Sequence, residues 1–120
     1  MQRSGWNLDE GVRELLRFRR QRRWAKFHRP KELAAAIAIE AAELQELFLW
    51  KGNETAGAVR SNRSRKIRIE EELADISIFI LLLAVEMRID LAGAIRRKNN
   101  RNILRYSAKS YRGIAPTPGR

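Results

Sequence analysis

The stretch IEAAELQELFLWKG, residues Ile39–Gly52, decides the fold. Its apolar spacing is helical, yet two of its three glutamates fall on the side that ought to be buried. On a wheel of about 100° per residue with Glu40 at the origin, Glu43 lies at about 300°, Leu47 at about 340° and Trp50 at about 280°. The two carboxylates therefore share a stripe with Leu47 and Trp50. Burying unpaired carboxylates is expensive, so the pattern asks for a cation between them.

Outward from this stretch the helical pattern continues in both directions. Upstream, Pro30 cannot sit inside a helix but suits the first turn of one, which starts this helix at about Pro30 and carries it to Lys51, with Gly52 as its stop. Before it, the apolar spacing Leu8, Val12, Leu15, Leu16 predicts a helix over about Leu8 to Phe27, with Asn7 as N-cap and arginines on its outer face. Downstream, residues 52–64 (GNETAGAVRSNRS) read as a loop, being small, polar and glycine-containing. A third long helix follows over about Arg65 to Arg88; its centre is apolar nearly all round, so it should be the most buried element. Asp90 caps a fourth, about Leu91 to Tyr106. The chain closes on GIAPTPGR, a glycine- and proline-containing tail.

Four helices with short connections and no strand signal predict an all-α fold of the four-helix bundle type. The domain organisation read from this pattern is one helical domain over residues 1–107 and a C-terminal tail over 108–120. A chain of 120 residues is large enough for a core but small for a deep, self-contained pocket, so oligomerisation would be an easy way to complete a site.

Charge is distributed unevenly. There are 25 Lys and Arg against 14 Asp and Glu, a net +11; residues 1–31 and 96–120 are strongly basic, and residues 32–59 are acidic. That layout suits a phosphate-bearing partner drawn towards a metal-loaded acidic centre. Without cysteine there is no disulfide framework and no thiolate metal site, which fits a cytoplasmic protein. The longest uncharged apolar run, Ile76 to Val85, is too short to span a bilayer, and the N-terminus lacks the apolar stretch of a signal peptide.

The third helix repeats the anomaly of the second. With Glu72 at the origin, Asp75 lies at about 300°, Phe79 at about 340° and Leu83 at about 20°. If the two helices pack antiparallel, Glu40, Glu43, Glu72 and Asp75 converge on one buried point, tolerable there only with divalent cations between them. Oxygen-only ligands favour a hard ion, Mg²⁺ or Mn²⁺, over zinc or copper. A di-iron bundle would want a Glu-x-x-His on each of two helices, and the single histidine, His28, lies outside any such motif.

Two rival readings remain open at this level. In the first, the basic cluster Arg17, Arg19, Arg20, Arg22, Arg23 and Lys26, with Phe18 and Trp24 interleaved, binds nucleic acid; it lacks a helix-turn-helix signature and leaves the acid quartet unexplained. In the second, a helical dimerisation module without catalysis pairs its acids with arginines across helices.

The run FRRQRRWAKFHRPKEL, then IEAAELQELFLWKG, EEELADISIFILLLA, IDLAGAIRRK and finally N-I-L-R-Y resembles the MazG-like nucleotide pyrophosphohydrolases, nearest to their small single-domain branch that contains dCTP pyrophosphatases. The resemblance spans about residues 8–107. It implies an Mg²⁺-dependent hydrolase, with Mn²⁺ as a substitute, that cleaves a nucleoside triphosphate between the α and β phosphates to a monophosphate and pyrophosphate, with deoxynucleotides such as dCTP as substrates and nucleotide-pool housecleaning as role.

Glu40, Glu43, Glu72 and Asp75 would then be the metal ligands and catalytic centre. Lys51, Lys98, Asn102 and Arg105 match positions that contact phosphates or support the site. For the base, the resemblance implies Trp24, His28, Trp50 and Phe79, with Tyr106 closing the pocket or packing. It also implies a homodimer or homotetramer; with the apolar run too short to span a bilayer, no membrane partner is expected, and a nucleic-acid partner is the lesser expectation. Three positions depart from the family pattern: Arg23 stands where relatives often have an acid, Ser107 replaces a proline, and Phe79 lacks the hydroxyl of the tyrosine found in some dCTP-preferring relatives. These leave the base preference open and the metal chemistry intact.

Overall fold

The computed structural model describes residues 5–116. Among them there is no strand; the chain runs as α1 (Leu8–Gln21), a 3₁₀ turn (Ala25–Phe27), α2 (Pro30–Glu46), α3 (Ala56–Ser61), α4 (Arg63–Glu86), α5 (Leu91–Arg105) and α6 (Ala108–Tyr111). The all-α class holds, with two short helices added to the four expected. The described residues fall into two compact units, one ending at Arg88 and the other starting at Ile89. No described helix is long and apolar enough to cross a membrane.

Helix starts follow local chemistry. The Glu10 amide donates to Asn7 Oδ1 at 2.9 Å, Pro30 occupies the first turn of α2, and the Gly93 amide donates to Asp90 Oδ1 at 3.2 Å. Helix ends do not follow the expected glycines. Helix α1 stops at Gln21 rather than Phe27 because Arg23 adopts a left-handed conformation, φ 54°. The Arg23 amide then donates to the Arg20 carbonyl and the Trp24 amide to the Arg19 carbonyl, at 3.1 and 3.0 Å. This is a Schellman closure built without glycine. Arg88, φ 53°, follows the end of α4 in the same conformation.

Helix α2 ends at Glu46, five residues before the expected Lys51. The Leu47, Phe48 and Leu49 amides turn to carbonyls three residues back, and Trp50, φ 61°, reverses the chain. The Leu47 carbonyl takes its partner from outside the helix, the Arg65 Nε at 2.9 Å. The same guanidinium pairs with Glu54 at 2.8 Å and lies over the Phe48 ring, 4.9 Å from its centroid. One side chain, 11% exposed, thus ties the end of α2 and the following loop to the first turn of α4. Inside that loop Thr55 caps α3 by accepting from the Ala58 amide, so the stretch expected to be irregular holds a helix.

In the first unit, α4 packs mainly along α2, with α1 and α3 against its flanks. Among the described residues the buried apolar side chains are Leu33 in α2, Leu47 just past it, and Leu82 and Ala84 near the end of α4. Arg19 of α1 reaches Glu86 of α4 at 2.6 Å, a charge-assisted contact that fixes the flank. The last turns of α4 supply half of this small core, while the apolar residues of its centre are half-buried or exposed, because one long neighbour cannot cover a helix that is apolar nearly all round.

Candidate functional site

The antiparallel run of α2 against α4 places Glu40 and Glu43 of one opposite Glu72 of the other. One carboxylate oxygen from each lies within 4.8 Å of the other two. No described cation pairs with them; the ion pairs of this unit, Arg19–Glu86 and Arg65–Glu54, lie elsewhere. Glu40 Oε2 and Glu72 Oε2 are buried without a hydrogen-bond partner. The electrostatic consequence falls on Glu40, whose carboxyl is pushed up to about 7. The Glu72 carboxyl within hydrogen-bond reach is the largest cause, followed by Glu43, by burial, and by the charges of Glu43 and Asp75. Asp75 therefore acts on the cluster through its field, while its oxygens stay outside the group of three.

Such a cluster needs a proton or a cation to be stable at neutral pH. Two orphaned buried oxygens and an oxygen-only donor set fit a hard divalent ion, so the residues present suit the metal that the sequence pattern asked for.

One helical turn beyond Asp75, Phe79 opens onto a cavity of about 460 Å³ in the same unit, lined also by Trp24 and His28. Trp24 meets Phe18 edge to face at 5.5 Å. His28 Nδ1 is buried without a partner, and burial, then the nearby Arg19, hold its imidazole below the usual histidine range, so it is neutral at pH 7. A second hollow of about 650 Å³, between α3 and α4, includes none of the carboxylates or aromatic residues of this site.

The remaining sequence-derived candidates are placed differently. Trp50 does not share the carboxylate stripe: α2 has already ended, and the indole is 98% exposed on a reversing residue. Lys51 follows it, exposed, near enough to Glu54 to help hold that carboxyl low. In the second unit, Lys98 and Asn102 line one shallow hollow on α5. Arg105 lies over the Tyr106 ring at 5.2 Å, and Tyr106 meets Tyr111 of α6 edge to face at 5.1 Å. The expected tail carries a helical turn, capped by Ser107 Oγ, which accepts from the Ser110 amide at 3.3 Å.

Of the residues lining the 460 Å³ cavity, only Trp24, His28 and Phe79 were legible in the sequence as base contacts; Trp6 was not. Its signal was positional: it immediately precedes the N-cap Asn7, where an apolar side chain folds back on the first turns of the helix.

With this geometry in hand, the comparison with known sequences is decisive. The profile of the MazG-like family matches residues 35–116. The chain belongs to the MazG-like family. Within it, the chain is similar to dCTP pyrophosphatase 1 of Bos taurus, 37% identical over 107 residues, which cover 88% of this chain and 63% of that protein. It is 36% identical to dCTP pyrophosphatase 1 of Homo sapiens over 82% of this chain and 59% of that one. The chain thus spans about three-fifths of the length of these curated relatives. A crystal structure of a pyrophosphatase from Archaeoglobus fulgidus superposes with a TM-score of 0.76 at 34% identity, covering 89% of this chain and 98% of that one. The match includes α2 from residue 35 onward, α4 and α5, so all four acids of this MazG-like chain lie inside the family region.

Proposed function

We propose that this MazG-like chain is a divalent-metal-dependent nucleoside triphosphate pyrophosphohydrolase, releasing a monophosphate and pyrophosphate, with Mg²⁺ as its metal and Mn²⁺ as a substitute. The observation that carries the reading is the cluster of Glu40, Glu43 and Glu72 with two buried, unpartnered oxygens, about two helical turns along α4 from an aromatic cavity. Similarity to dCTP pyrophosphatases supports deoxynucleotides, dCTP among them, as substrates drawn from the cytoplasmic pool.

Glu40, Glu43 and Glu72 would hold the ion, and Asp75 would add its charge or a further ligand. A bound divalent ion supplies neutralisation of the phosphate oxygens and a more acidic water. One of the four carboxylates would accept the proton given up by that water. Lys51, Lys98, Asn102 and Arg105 carry the charges and donors that phosphates require. Trp24 and Phe79 offer aromatic faces to the base, and the unpartnered His28 Nδ1 offers one polar atom to its edge. Trp50 and Tyr106 complete the base-contact set by family resemblance.

Few side chains of the described unit are fully buried, and Ile39, Phe48 and Leu73 are among large apolar residues left open, which supports assembly as a homodimer or homotetramer. The test of the function is product analysis with each canonical dNTP and NTP, with and without Mg²⁺. Monophosphate and pyrophosphate formed only with metal are expected; no turnover on any nucleotide would defeat the reading.

A further inference from the structure

Trp6 stands outside the residues assigned to the base above, yet it is held as firmly as any of them. Its indole Nε1 donates to Glu14 Oε2 at 3.0 Å. Its six-membered ring rests on Gly11, a buried residue of α1, so closely that a Cβ at that position would overlap three ring atoms. Asn7 is the N-cap of α1, so Trp6 and Gly11 hold the two positions that usually form an apolar staple across a helix start. Here the helix partner is glycine, and the indole occupies the space a side chain would have filled.

The ring is therefore fixed at its edge by Glu14 and on one side by the helix. It remains 47% exposed, and it lines the cavity that contains Trp24, His28 and Phe79. A fixed aromatic ring with open apolar area, in a cavity walled by other aromatic and aliphatic groups, is the arrangement on which a planar heteroaromatic ring stacks.

We propose that Trp6, seated on Gly11 and latched by Glu14, is a wall of the nucleobase pocket and sets nucleotide affinity by stacking. The inference rests on the reading that the cavity of about 460 Å³ takes the base.

The test is steady-state kinetics on the best dNTP for the unaltered chain and for Trp6→Ala, Trp6→Leu, Trp6→Phe, Gly11→Ala and Trp24→Ala. Each is accompanied by the inhibition constant of pyrophosphate and a circular dichroism spectrum. Trp6→Ala is expected to raise KM about tenfold while lowering kcat far less, the effect of losing one stacked face. Trp6→Leu, which keeps apolar bulk without the aromatic face, should raise KM too, and it serves if the alanine variant does not fold. Gly11→Ala should move KM the same way by lifting the ring, and Trp6→Phe should recover most of the loss. Pyrophosphate inhibition should stay unchanged throughout. An unchanged KM in the folded Trp6 variants while Trp24→Ala raises it overturns the role of Trp6 and leaves the base pocket standing. An unchanged KM in both overturns the pocket as well. A pyrophosphate constant that rises in step with KM assigns Trp6 to the fold and also overturns the proposal.

Discussion

The middle of the α2–α4 pair and its two ends are built on the same two helices and treat polar groups in opposite ways. At one end, Leu33, Leu82 and Ala84 form a dry core with no polar side chain in it. At the other, the Arg65 guanidinium is spent on the Leu47 carbonyl and the Glu54 carboxylate. In the middle, Glu40, Glu43 and Glu72 face one another, and buried oxygens go unpartnered. This chain has arginines in abundance and uses one to close a loop, yet none reaches the acids. Folding alone would favour the apolar or the paired solution, so the middle is arranged for something that arrives after folding.

The contrast is broken most severely if the acids prove dispensable. Glu40→Gln is expected to cut turnover at least about a hundredfold, since losing even a supporting contact at a metal site typically costs tenfold or more. The fold should survive, because the change removes one of several repelling charges. Near-normal hydrolysis by Glu40→Gln, measured as pyrophosphate release, would return these acids to the role of a solvated face.

The ends should respond in the opposite sense. Leu33 is 1% exposed, so Leu33→Ala should cost about 2–5 kcal/mol of stability through lost burial and the cavity left behind. The effect of Mg²⁺ on its melting should be retained. A denaturant titration showing no shift in midpoint would mean that the core lies elsewhere.

Smaller in size but more direct is the effect of the ion itself. Mg²⁺ at about a hundredfold above its Kd should stabilise the chain by about 2.7 kcal/mol, by binding the folded state only. The melting temperature should rise accordingly, fall back with a chelator, and stay flat in Glu40→Gln. A rise that persists in that variant would place the ion elsewhere.

The smallest effect concerns pH. Glu40 titrates at about 7 in the folded metal-free chain and at its ordinary 4.5 when unfolded. Between those values the folded state holds a proton that the unfolded state has released, so this stabilisation is complete below about 4.5 and is lost as pH rises to about 7. His28, with its pKa lowered, contributes in the opposite direction, so the informative quantity is the difference between the unaltered chain and Glu40→Gln. Parallel pH profiles of melting for the two would show that Glu40 does not hold its proton as the geometry implies.

Much of this arrangement was legible in residues 30–46 and 63–86. Pro30 marked a helix start, the wheel put Glu40 with Glu43 and Glu72 with Asp75 on shared stripes, though Glu43 and Asp75 are exposed rather than buried, and Asn7 and Asp90 marked caps. Capping is local: one side chain meets an amide three residues away, and sequence spacing suffices to see it. The helix ends were not legible. Arg23, Trp50 and Arg88 take left-handed conformations that usually announce themselves with glycine, and each is a larger side chain held there by its surroundings. The early end of α2 matters most, because it moved Trp50 from the carboxylate stripe to full exposure. Helix α3 was hidden by small and polar residues, and Trp6 lay outside every periodic pattern.

The sequence by itself determined the helical class, the starts of the long helices and the pairing of acids at a spacing of three, because each depends on groups within a turn of one another. Only the tertiary structure decided where those helices stop, that three acids share one point while Asp75 acts from beside it, and that an indole lies on Gly11. Those outcomes depend on which distant groups reach a carbonyl, an oxygen or a ring face, and no periodicity along one helix encodes the position of another.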